Sequence, residues 1–184
     1  MIRSQALLQR ERGVAGTALP DVLRHSGAPR GSIYHHFPNG RAQLAAQATE
    51  WAANWVADEL ERSLAESDIE RALQSFIDKW AVILRESDFA AGCPVTAGAL
   101  DANDDSGARE AAAEGFRRWE DLIREAFIRN GLTEEKAEAL ALTFISATEG
   151  AIVLARAEGS LRPIERVAEQ LRALSSRELA EAAR

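Results

Sequence analysis

The chain is 184 residues long, enough to bury one good hydrophobic core with at most a small appended module. Ala, Leu, Glu, Arg and Gln dominate and no clean apolar–polar alternation occurs, which excludes a sheet protein and points to an all-α fold of about nine helices. The formal charge of −7 is unevenly spread: residues 1–47 hold six arginines against Glu11 and Asp21, a net +4, which leaves the remainder at −11 and reserves any polyanion for the head.

A first helix is predicted over Ile2–Arg12, with Ala6, Leu7 and Leu8 apolar, and it stops at Gly13. Gly13 and Gly16 flank a turn. Thr17 is expected to cap a second helix, with Pro20 and Asp21 well placed in its first turn and Gly27 at its end. Ala28-Pro29 interrupts the helical run, because a residue before proline avoids the helical region. Pro29 suits the start of a third helix through Phe37, which Pro38-Asn39-Gly40 breaks. Two short helices joined by a tight glycine-containing turn describe a helix-turn-helix. On the third helix Ile33 and Phe37, spaced i,i+4, pin one face. Arg30, Ser32, Tyr34, His35 and His36 are left for other faces, with no carboxylate for a phosphate backbone to repel.

A long helix is expected from Arg41 to Ser63, with Leu44, Ala48, Trp51, Ala52 and Trp55 inward. Another fits Ile69–Glu86, carrying Leu73, Phe76, Ile77, Trp80, Ile83 and Leu84. Residues 87–106 read as a loop, a short helix from Pro94 to about Ala102, and an N-cap at Asp105 or Ser106. A helix over Arg109–Asn130 turns Phe116, Trp119, Leu122, Ile123, Ala126 and Phe127 inward. Thr133 opens the next, to about Glu158, and the last follows Pro163 with Ile164, Val167, Leu171 and Leu174.

Residues 140–155 are apolar or small almost all round, so that helix must be covered on more than one side. Its small residues permit close helix approach. Paired with the last helix it builds a four-helix interface across a two-fold axis, with Ala147, Ala151, Leu154, Ala155, Val167 and Leu171 at the contact. Four Trp and six Phe, mostly on these body helices, are candidates to line an apolar cavity as well as a core. The cavity set is Trp80, Phe89, Phe116, Trp119, Phe144 and Thr148. Glu149 is a polar anchor in the pocket or a dimer contact, and Cys93 a thiol-reactive switch or a buried structural residue.

The run Gly27-Ala28-Pro29-Arg30-Gly31-Ser32-Ile33-Tyr34-His35-His36-Phe37-Pro38-Asn39-Gly40-Arg41 resembles the recognition-helix signature of the TetR family, and Thr17 falls where that family keeps a threonine. The resemblance implies phosphate contacts by Thr17, Tyr34 and Arg41 and groove contacts by Arg30, Ser32 and His35, with Gly31 and His36 in the same set. It implies a DNA-binding domain over residues 1–47 and a ligand-binding, dimerising domain over 48–184. In that family the helix carrying Trp51 and Trp55 joins reader to sensor. The sequence departs from the pattern at Gln9, where the family has Phe, and in starting almost inside the first helix, so a basic arm is missing or lies upstream. Residues 149–157, with Gly92-Cys93-Pro94-Val95, resemble the C-terminal half of the LmrA/YxaF branch.

No apolar stretch approaches the roughly 20 residues of a membrane span, and Met1-Ile2-Arg3-Ser4-Gln5 lacks the apolar core of a secretory signal. One cysteine and three histidines supply neither a disulfide nor a four-ligand metal site. The histidines all lie in the head, and no Ser/His/Asp set or phosphate loop occurs, so no enzyme is expected. The expectation is a cytoplasmic repressor without metal or cofactor. It binds double-stranded DNA at a near-palindromic operator as a homodimer, without contact to a membrane, and a small hydrophobic or aromatic effector releases it. The alternative is a helix-turn-helix regulator with no small-molecule effector, constitutive or controlled by a protein partner.

Overall fold

In the computed structural model residues 1–66, 68–101 and 107–184 are described. Local signals set most helix ends. The first helix, α1, covers Ile2–Arg12 and ends where Gly13 takes a left-handed φ of 75°. The second, α2, covers Leu19–Ser26 and stops at a left-handed Gly27. Its N-cap is Ala18, not Thr17, and no side chain caps it. Thr17 is fully buried, and its hydroxyl donates to the Gly13 carbonyl at 2.8 Å.

The expected third helix begins as a 3-10 turn, Arg30–Ser32, and continues as a single α-turn, α3, over Ile33–His36. Helix α4 covers Gly40–Glu66, longer than expected at both ends. Helix α5 covers Ile69–Glu86, with the Asp68 carboxylate accepting from the Arg71 amide at 2.9 Å. Helix α6 covers Pro94–Ala99, α7 Ala108–Arg129, α8 Glu134–Glu158 and α9 Arg162–Ala182. Among the described residues there is no strand. Helix α6 ends at Ala99, with Leu100 as its C-cap, short of the expected Ala102, and the cap expected at Asp105 or Ser106 falls outside the described residues.

The chain forms two compact units, residues 1–55 with 91–115, and residues 56–90 with 116–184. In the first unit Leu8, Val22, Ile33, Phe37 and Leu44 make a small core that draws on α1, α2, α3 and α4. The inward stripe of α4 is Leu44, Ala45, Ala48, Thr49, Ala52 and Ala53, nearly all small. A Cβ on Gly98 would lie 2.7 Å from the Thr49 side chain, and one on Gly115 2.4 Å from Ala53 Cβ. Helices approach that closely only without bulk between them. For that reason Trp51 and Trp55, expected inward, stand on the opposite face at 38% and 48% exposure.

The second unit packs α5, α8 and α9 together. Its core holds Leu73, Phe76, Ile77, Trp80 and Leu84 from α5, Trp119, Ile123 and Phe127 from α7, Leu140, Phe144 and Ile152 from α8, and Ile164 and Leu171 from α9. Arg118 on α7 pairs with Asp58 and Glu61 at 3.3 and 3.0 Å, and Lys136 pairs with Glu178 at 2.8 Å. Such exposed pairs contribute little beside burial of that much apolar surface.

Contrary to the sequence expectation, α8 is long and apolar enough to cross a membrane by length and composition. The same composition arises when one face of a helix is core and the opposite face is also apolar. Its buried face is Ala137, Leu140, Ala141, Phe144, Thr148, Ala151, Ile152 and Ala155.

Candidate nucleic-acid interface and apolar site

Burial of Ile33 and Phe37 fixes the orientation of the 3-10 turn and α3, since both side chains insert into the first unit's small core. The opposite face therefore has to look outward. Arg30, Gly31, His35 and His36 are exposed, and Tyr34 is 67% exposed. A ring carbon of Tyr34 lies 3.8 Å from where a Cβ on Gly40 would stand, so the phenol leans along the glycine that opens α4. The His35 and His36 rings meet edge to face at 5.1 Å.

Ser32 is half-buried, and its hydroxyl donates to the Pro29 carbonyl at 2.7 Å, locking the turn that presents Arg30. Arg41 stays exposed while one guanidinium nitrogen donates to the Val14 carbonyl at 2.6 Å. Thr17 does not join this surface: it is buried and its one proton is used internally, so the expected phosphate contact lacks access.

The electrostatics favour an anion. No carboxylate occurs between Asp21 and Glu50. Asp21 itself is held by Arg24 and, at 3.5 Å, by Arg12, which leaves the surrounding arginines in excess. Burial lowers the Arg10 guanidinium from its ordinary value and the charge of Glu11 raises it.

The apolar candidates divide. Trp80, Trp119, Phe144 and Thr148 are buried in the second unit, with Phe89, Phe116 and Glu149 partly exposed there. Phe116 and Trp119 meet edge to face at 5.1 Å, and Phe144 lies 6.0 Å from Phe76, a ring the sequence assigned only to the core. The Thr148 hydroxyl is buried without a hydrogen-bond partner among the described residues. Cys93 is buried in the first unit, ahead of α6, and is not among these aromatics. Phe89 has a left-handed φ of 59°, following Asp88 at 49°, where α5 ends.

A groove of about 710 Å³ lies between α5 and α9, lined by Ile77, Ile164 and Ala168 and by charges of both signs, among them Arg85, Arg166, Asp78 and Glu169. It had no sequence signal, because its walls are the flanks of two amphipathic helices far apart in the chain.

The expected interface residues also divide. Ala151, Ala155 and Leu171 are buried within the chain's own core, so they are not on a free surface. Ala147 and Val167 are half-buried. The exposed apolar residues of α8 are Leu142, Val153 and Leu154, at 46%, 54% and 52%. Ala139, Thr143, Ser146, Gly150 and Ala157 share that outer face, with Glu135 and the half-exposed Glu149 at the same register.

Residues 7–48 match the model of the bacterial regulatory proteins of the tetR family, and residues 69–170 match the LmrA/YxaF-like transcriptional regulator C-terminal domain. A helix-turn-helix transcriptional regulator of Mycobacterium tuberculosis, Rv0196, is 44% identical over 190 residues, covering 100% of this chain and 96% of that protein. YxaF of Bacillus subtilis is 33% identical, covering 87% of this chain and 85% of its own. A TetR transcriptional regulator from Legionella pneumophila has the same fold at a TM-score of 0.81, with 22% identity and 92% of each chain covered. One from Chloroflexus aurantiacus gives a TM-score of 0.75 at 27% identity, with 96% of this chain and 92% of its own covered.

Proposed function

Because this chain belongs to the TetR family of DNA-binding transcriptional regulators, we propose that it is a repressor that grips a near-palindromic operator as a homodimer and is released by a small apolar ligand. Residues 1–47 carry the reading and residues 48–184 the pairing and the ligand response. The observation that carries the reading is the division of the 3-10 turn and α3. Ile33 and Phe37 are core, whereas Arg30, Gly31, Tyr34, His35 and His36 face solvent with no carboxylate beside them.

Arg30 has the reach and the paired donors for guanine O6 and N7 in the major groove. Arg41 and Tyr34 suit phosphates on either side, and contacts of that kind set register without reading sequence. Two such readers, about 34–36 Å apart across a two-fold axis, address successive turns of one face of the duplex.

The outer face of α8 supports pairing. A mid-helix glycine costs about 0.5–1 kcal/mol relative to alanine, yet a Cβ on Gly150 would meet nothing within 4 Å. The chain itself gains nothing from that glycine. A second copy of α8 laid against Gly150, Leu142, Val153 and Leu154 does.

The aromatic interior of the second unit supports the ligand. A compound that prefers the conformation with wrongly spaced readers weakens DNA binding by its differential affinity, typically ~1–3 kcal/mol. Such a regulator works in the cytoplasm, where its operator is.

Fluorescence anisotropy on a duplex from the region upstream of the gene tests this. Binding should weaken steeply with salt, and Arg30→Ala should lose about 1–3 kcal/mol. Arg41→Ala should lower the salt slope by about one. Absence of binding at low salt removes the proposal. A thermal-shift screen of apolar aromatics with no stabilising compound removes the ligand arm.

A further inference from the structure

Gln9 is fully buried in α1, a position where bulk rather than hydrogen bonding is the simpler way to fill a core. Its carboxamide is committed on every side. The nitrogen donates to Thr49 Oγ1 of α4 at 3.0 Å and to the Pro94 carbonyl of α6 at 2.9 Å. The oxygen accepts from the buried Gln5 amide at 3.2 Å. These directions are not interchangeable. The Pro94 carbonyl can only accept, and the Thr49 hydroxyl donates its own proton to the Ala45 carbonyl at 2.9 Å, so both need a donor. Only the NH2 end of Gln9 can face them.

The same three helices touch in two further ways. The Gly92 amide, leading into α6, donates to the Arg10 carbonyl at 2.9 Å. Gly98 of α6 sits on the Thr49 side chain so closely that a Cβ would stand 2.7 Å away. One residue before Gln9, Leu8 packs in the cluster that holds Ile33 and Phe37, and Leu44 enters that cluster from α4, one turn ahead of Thr49. The side chains that clamp the reading turn and those that clamp α6 are thus neighbours on the same two helices.

We propose that Gln9 is a positioning residue for DNA reading: through Thr49 and Pro94 its carboxamide makes the seat of α6 part of what fixes α1 and α4 around the recognition turn. The inference rests on the DNA-reading assignment above. An apolar side chain at this position lets packed helices slide by fractions of an ångström at little cost. The amide does not. A slip of about 1 Å takes a bond of 2.9 Å beyond hydrogen-bonding range, and the fully buried Gln9 amide then loses an acceptor it cannot replace with water. The joint therefore has a made state and a broken state, with Gly98 allowing the close approach that the made state needs.

The test uses the full-length chain and a duplex from its own upstream region. Gln9→Met keeps length and removes the donors, Thr49→Val removes the acceptor, and Thr49→Ser restores it. Affinity is read at a temperature well below each variant's melting point, where lost stability alone leaves the folded population unchanged. Gln9→Met and Thr49→Val should each weaken binding by roughly tenfold, the double variant should be no worse than the weaker single one, and Thr49→Ser should bind as wild type. Amide exchange at Gly92 and Ala97 should quicken in both weakened variants without DNA. Full affinity in Gln9→Met, or Thr49→Ser as weak as Thr49→Val, overturns the proposal. If the unmodified chain does not bind its upstream DNA, the DNA-reading assignment fails instead. Unchanged exchange at Gly92 and Ala97 in Gln9→Met overturns the joint whatever the DNA result.

Discussion

Gly31→Ala separates what the fold needs from what the ligand needs. Gly31 lies in the 3-10 turn, exposed, outside the left-handed region, and a Cβ built on it meets nothing within 4 Å. Alanine is therefore free of strain in the protein alone, and by restricting the unfolded chain it should add about 0.4–1 kcal/mol of stability. For a chain of this size that raises the melting temperature by roughly 1–4 °C. In the proposed complex, however, the added methyl projects where a base edge comes. Overpacking a closely fitted contact costs about 1–3 kcal/mol, so affinity for the upstream duplex should fall by about 5- to 150-fold. Differential scanning calorimetry and anisotropy titration on the same preparation read both numbers. A variant that is stabilised and binds normally shows that Gly31 does not face the DNA. One that is destabilised contradicts the open space around it.

Further outcomes follow from burial and charge. Leu154→Glu places a charge on the exposed apolar face of α8 and should leave folding intact while shifting sedimentation to the monomer; an unchanged dimer moves the interface elsewhere. Trp119→Ala should cost about 3–5 kcal/mol in denaturant unfolding, whereas Trp51→Ala, at 38% exposure on α4, should cost clearly less; equal losses would contradict the burial pattern. The hydrogen bond from Lys136 holds the Glu178 carboxyl below its usual range, helped by Arg177. Its contribution is present above the unfolded value of about 4.3 and is lost as pH falls through the lower folded value. Glu178→Gln should therefore flatten the acid limb of stability below about pH 4.3 and be silent in the slope near neutrality.

Which face of the 3-10 turn and α3 is exposed was largely legible, because its signals are local. Gly27, Pro29 and Gly40 punctuate the chain, Ile33 and Phe37 share a face, and what remains must point out. Thr17 was misplaced by one residue of capping, since its hydroxyl preferred the Gly13 carbonyl behind it to the amides ahead. Helix existence in the body followed from periodicity, but face assignment on α4 did not. Trp51 and Trp55 fit an apolar stripe as well as Ala48 and Ala52 do, and only the glycines of α6 and α7, distant in sequence, decide that the small residues go inward. Ala151 and Ala155 on α8 were assigned to the wrong side for a related reason. Both faces of that helix are apolar, so composition alone cannot say which one the chain uses for itself.

That residues 91–115 fold with residues 1–55 bears on how regulators of this build can be recombined. A chimera cut after residue 47 would transplant the proposed DNA contacts and strand Gln9 without Thr49 or Pro94, an amide sealed in a core that no longer answers it. A graft intended to keep the reader's shape has to bring α6 along as a second, separate insert.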